Sequence, residues 1–172
     1  MNKKLNPNAT LKEAKDWLRA KLDKGESCPC CNQLAKMYER KLYSSMAAAI
    51  IYFYKSFDHL KFHHKSELLK NKTLATTLGG GDFAKLALWG LIEEKPKDAS
   101  EDKRTSGYWK ITQKGIDFVL GKVRLPSHVR IYDGKVFGFT GDKVLVTDCL
   151  GKKFSYVELM GLTATDGGGE NG

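Results

Sequence analysis

Three of the four cysteines lie within four positions, Cys28-Pro29-Cys30-Cys31, and the fourth is Cys149. Cys-Pro-x-Cys is half of a zinc-ribbon knuckle. In such a knuckle two thiolates grip one ion while N–H groups of the turn face the sulfurs, which makes Cys28 and Cys31 the candidate metal ligands. A structural zinc is tetrahedral and closed by four protein ligands, and no second Cys-x-x-Cys follows. Cys149, His59, the His63-His64 pair and His128 are the residues able to complete the set. The alternative is a tight turn of small, packed thiols. A redox pair is disfavoured, because no β-α-β pattern surrounds the motif. Cysteines so crowded do not form the disulfide framework of a secreted mini-protein, so a reducing cytoplasm is expected.

Other chemistry-bearing groups are sparse. The sequence holds no Ser/His/Asp arrangement, phosphate loop or His-Glu-x-x-His. Glu93-Glu94 opens an expected strand and alternates faces, and Glu101-Asp102 falls in a loop. His63 and His64, if extended, also point to opposite faces. The chain therefore reads as a binding protein and not as an enzyme.

What it binds is suggested by charge. The 172 residues include 29 Lys or Arg and 20 Asp or Glu, for a net charge of +9. At 41% hydrophobic and 28% charged the composition is that of a folded chain. No apolar run reaches the ~18–20 residues of a membrane-spanning helix; the longest, Met46 to Tyr54, is flanked by Lys41 and Lys55. The opening segment has no apolar run of the kind a secretion signal needs. A polyanionic partner is favoured. Residues 1–45 carry +5, 46–120 carry +3 and 121–172 carry +1. The excess is thus concentrated early, where Lys36, Arg40 and Lys41 are expected to line the start of a long helix, beside Lys12, Lys15, Arg19 and Lys21. The alternative is a solubilising surface, paired with residues such as Asp16 and Asp23.

The elements that must position these groups follow from periodicity and caps. Thr10 with Glu13 is a capping box, and Leu11, Ala14, Leu18 and Leu22 recur at helical spacing. After the cysteine turn, Leu34, Met37, Leu42, Met46, Ala49, Ile50 and Phe53 predict one long helix over 33–57. A two-turn helix follows over 65–70, then a glycine-rich turn over 73–81. Asp82 opens a short helix ending at Trp89, with Gly90 as a left-handed cap. Strands are expected at Leu91-Ile92 and Tyr108–Ile111, and Thr112 caps a helix over 113–120. Asp133-Gly134 is a hairpin signal between Val129–Tyr132 and Val136–Phe139. A third strand is expected at Val144-Leu145-Val146, then a short helix near Met160. The polar, glycine-rich residues 163–172 read as a tail.

Trp89-Gly90-Leu91-Ile92, a charged loop, and Gly107-Tyr108-Trp109-x-Ile111-Thr112-x-Lys114-Gly115-x-x-Phe118 resemble the second half of a winged helix-turn-helix domain. In that family a helix ends at the glycine of a Gly-Leu-Ile corner, two strands form a wing, and Thr-x-Lys-Gly opens the last helix. The whole chain is also similar to small uncharacterised proteins of bacteriophages and prophages, a likeness that implies no known activity. The resemblance implies an α+β fold: an N-terminal helix and cysteine-rich turn (1–35), a winged helix-turn-helix core (36–121), a small antiparallel β unit (122–162) and the tail. The wing signature together with the basic excess leads to the expectation of a DNA-binding regulator of a phage or mobile element. Candidate contacts are Lys70, Lys72, Thr76, Thr77 and Lys85 around the recognition helix, Lys103 and Arg104 in the wing, and Lys36, Arg40 and Lys41. The recognition helix holds no Arg, Asn or Gln for bidentate base contacts. That lack sustains the alternative, a module that docks on a host protein such as a polymerase or defence nuclease.

Overall fold

The computed structural model describes residues 4–70, 75, 82–100 and 106–162. In chain order its elements are α1 (Leu11–Arg19), β1 (Glu26–Ser27), β2 (Leu34–Ala35), β3 (Tyr38–Lys41), α2 (Ser44–Ser56), β4 (His63–His64), α3 (Lys65–Leu68) and α4 (Asp82–Lys85). A 3-10 turn (Leu86–Trp89) continues α4. Then come β5 (Ile92–Glu94), β6 (Tyr108–Ile111), α5 (Gln113–Val119), β7 (Leu125–Tyr132), β8 (Lys135–Val144), α6 (Val146–Leu150) and α7 (Tyr156–Met160). The fold is α+β, with small sheets ordered β1-β2, β3-β7-β8 and β4-β6-β5 among the described residues. None of their helices is long and apolar enough to cross a membrane. Two compact units result: Met1–Arg40 with His128–Thr140, and Lys41–Ser127 with Gly141–Gly172.

In the first unit the capping box of α1 forms as its residues predict. The Thr10 N–H donates to Glu13 Oε2 at 2.7 Å, and the Glu13 N–H donates to Thr10 Oγ1 at 3.3 Å. Lys21 Nζ then pairs with Glu26 Oε2 at 3.1 Å and stands 3.8 Å from the centre of the Trp17 ring. Strands β1 and β2 form an antiparallel hairpin around the cysteines, Glu26 opposite Ala35 and Ser27 opposite Leu34. The β7–β8 turn takes positive φ at both Asp133 (50°) and Gly134 (69°), as a two-residue hairpin requires.

The long helix expected over 33–57 is corrected: helix begins only at Ser44, and Leu34–Ala35 and Tyr38–Lys41 are strands. Each finds a backbone partner, β2 in β1 and β3 in β7, and that pairing outweighs a fortuitous helical spacing of Leu34, Met37 and Leu42. The strand expected at Val144-Leu145-Val146 is likewise corrected. Strand β8 ends at Val144, and α6 starts because the Asp148 carboxylate accepts the Leu145 N–H at 2.8 Å. The third strand beside the hairpin is β3.

The second unit is built on α2. Met46, the five residues Ala47 to Ile51, and Phe53 are all buried, and α4, α5, α6, α7 and β6 pack on this helix. In the sheet, β6 is central, with His63 opposite Trp109 on one side and Ile92 opposite Ile111 on the other. Between α4 and β5 the chain turns at Gly90, whose φ of +71° is left-handed. Thr112 Oγ1 donates to Gly90 O at 2.6 Å, and Lys114 Nζ donates to Trp89 O at 2.7 Å. Gly115 lets α5 press on this corner: a Cβ there would lie 2.1 Å from Leu91 O and 2.8 Å from Ile111 Cγ1. Gly115→Ala is therefore expected to cost about 3 kcal/mol through overpacking and to lower the Tm by roughly 6–12 °C. Thermal denaturation followed by circular dichroism checks this; an unchanged Tm would contradict the packing described.

Candidate nucleic-acid interface and cysteine knuckle

In the second unit, α4 and its 3-10 extension bury Phe83, Leu86 and Trp89, and Trp89 Nε1 donates to Pro126 O at 2.8 Å. What remains outside is Ala84 and Ala87. Lys85, the one cation of this segment, is held by Asp82 at 2.6 Å, so its charge is offset locally. Lys70 is exposed just after α3, and Lys41 is exposed at the end of β3. Lys72, Thr76, Thr77, Lys103 and Arg104 lie outside the described residues.

At the base of the β5–β6 loop, His64, Lys95, Lys97, Ser106 and Tyr108 line a cleft of about 610 Å³. His64 caps α3, its Nδ1 accepting from the Ser66 N–H at 3.3 Å, and its ring meets Tyr108 edge-on at 5.0 Å. Lys95 Nζ stands 5.6 Å from the Tyr108 ring centre. Gly107, at φ +73°, leaves room for the imidazole: a Cβ would sit 3.0 Å from His64 Nε2. His63 points the other way, against Phe53 and Phe57, with Nε2 2.9 Å from Asp58 O. The alternation of the His-His pair is readable in the sequence, but not which member faces the β5–β6 loop.

The first unit holds Lys36 and Arg40, both exposed and without an ion pair among the described residues. Their expected helical setting is corrected together with the helix. Lys36 sits in the link between β2 and β3, and Arg40 and Lys41 are neighbours on β3. Three other cations of this unit are paired: Arg19 with Asp16 at 3.7 Å, Lys21 with Glu26 at 3.1 Å, and Arg130 with Asp23.

The cysteine turn is a tight knuckle. The Cys28 N–H donates to Gln33 O at 2.8 Å, the Asn32 N–H donates to Cys28 O at 2.9 Å, and Asn32 is left-handed at φ +59°. The N–H groups of Cys30 and Cys31, followed by the Cys31 thiol, bond to the Cys28 sulfur and lower its pKa from the ordinary thiol value. Cys28 and Cys31 share a cleft of about 300 Å³ with Lys36, Tyr38, Tyr132 and Asp133. Tyr132 in turn packs on Phe137 at 6.1 Å. Tyr132 and Asp133 come from the far end of the chain, where local sequence patterns do not reach. Among the described residues no three Cys, His, Asp or Glu side chains converge as metal ligands. His59 is stacked on Tyr54 at 4.6 Å, with Nε2 2.6 Å from Tyr54 O.

Cys149, on α6, is chemically opposite to Cys28. Burial, reinforced by Asp148 and opposed by Lys41, pushes its thiol up to about 11. At pH 7.5 its thiolate fraction is then roughly 100-fold below that of an ordinary thiol. Iodoacetamide treatment of the native, reduced protein is expected to modify Cys28 long before Cys149, as read by peptide mass spectrometry. Equal rates would refute the contrast. The chain matches no protein-family model, no curated protein and no solved structure.

Proposed function

We propose that this chain binds double-stranded DNA through a winged helix-turn-helix domain, as a regulator of a phage or other mobile element. The observation that supports this reading most is the order α2-β4-α3-α4-β5-β6 among the described residues, with the strand order β4-β6-β5. A winged domain needs three helices in this succession, with the strand after the first helix paired to the last strand of the wing. The Gly90 corner and the Thr112 cap fall where the resemblance asks for them, and Gly115 N–H donates to Thr112 Oγ1 at 3.1 Å.

Binding of this kind rests on phosphates more than on bases. Ala84 and Ala87 offer a groove no hydrogen-bond donor, so direct readout by α4 is minimal. Lys70, Lys72, Thr76 and Thr77 before the helix, and Lys95, Lys97, Lys103 and Arg104 between β5 and β6, supply donors for phosphate oxygens. Lys85, tied to Asp82, contributes less. Lys36, Arg40 and Lys41 belong to the most basic part of the sequence and add to the same electrostatic attraction. Affinity is expected to vary little with sequence and to fall steeply with salt. Fluorescence anisotropy on a labelled duplex tests this: replacing Lys103 and Arg104 by Ala should reduce the slope of log K against log salt by about two phosphate equivalents. An unchanged slope removes the wing from the interface, and no binding to any duplex at low salt removes the function.

A second reading, a module docking on a host protein, is favoured by the apolar outer face of α4 and by Tyr108, which is 42% exposed. A partner captured from lysate that survives nuclease digestion, with no duplex binding, selects it.

A further inference from the structure

The Cys28–Cys31 knuckle has the form of a metal half-site and lacks its other half. Both thiols open on one cleft, whereas Cys30 does not line it. The donors aimed at the Cys28 sulfur and the left-handed Asn32 pre-form the turn that a tetrahedral thiolate site uses. Two thiolates leave a zinc ion two ligands short, and no third ligand converges among the described residues.

The unit that carries the knuckle also has little core. It has some 50 residues, and among those described only Ala14, Leu22, Ala35 and Val129 are buried. Assemblies this small are usually held by a metal, a disulfide or a second subunit. A two-fold pair of knuckles meets both needs, because an isologous contact presents the same patch twice. We propose that one zinc ion joins two copies of this chain, each giving Cys28 and Cys31. Each thiol releases its proton to solvent as it binds. Zinc with four thiolates carries a net charge of about −2, and in the same cleft Lys36 brings one positive and Asp133 one negative charge from each copy. The proposal is independent of DNA binding.

The test is a titration of the full-length, reduced, chelator-stripped protein with zinc chloride, followed by light scattering and bound-metal analysis. The expected result is half a zinc per chain and a rise from 19.3 kDa to twice that mass. Cobalt(II) should reach the same ratio and give tetrathiolate absorption bands. Cys30→Ser should retain zinc and dimer, while Cys28→Ser and Cys31→Ser should lose both. One zinc per chain at monomer mass, no bound zinc, or a dimer that persists in chelator would each overturn the proposal. Because the unmodified chain decides among these results, a misfolded variant cannot obscure them.

Discussion

Enclosure of residues 46–51 of α2 on every side is the constraint on which the second unit depends. A helical stretch that is apolar all round has no solvent face to offer and must be enclosed. Ile50, Ile51 and Phe53 are each essentially inaccessible, and burying a side chain of that size stabilises by about 1.5–3 kcal/mol. The run of three alanines beside them lets neighbouring helices approach closely. Helices α4 to α7 and the central strand β6 are then arranged as the wall of this one element.

From that enclosure follows the character of α4. Its Phe83, Leu86 and Trp89 are committed inward, and the Phe83 ring meets Phe53 at 5.2 Å. A segment of eight residues that gives three large side chains to the core, and a salt-bridged pair to its own first turn, keeps few groups for recognition. The polar work of the unit shifts to its loops, where His64, Lys95 and Tyr108 gather around Gly107. At the opposite end of the hairpin, Thr112 and Lys114 lock the Trp89-Gly90 carbonyls, so the strands leave α4 in one direction only.

The parts legible in the sequence are those decided by a few adjacent residues. The Thr10 capping box, the Gly90 stop, the Thr112 cap and the Asp133-Gly134 turn each depend on local stereochemistry, and each lies where its residues predict. Partners distant in sequence are what periodicity cannot report. Tyr38–Lys41 becomes a strand because of residues 125–132, and nothing in the segment itself says so. For the same reason Lys36 is legible as a basic residue but not as a neighbour of Tyr132 and Asp133. At Val144–Val146 the β-branched residues promised a strand, and one carboxylate at Asp148, itself 3.6 Å from Arg124, made a helix start.

The first unit is assembled from two stretches of chain, 1–40 and 128–140, with 87 residues between them. During synthesis the knuckle and α1 emerge first, yet the hairpin that completes their unit follows only after the whole intervening segment has been translated. At about 5–20 residues per second that delay is roughly 4–17 s, far longer than a hairpin takes to form. For that interval the nascent chain displays an unfinished first unit, and the second unit, which takes residues 141–172, is completed later still.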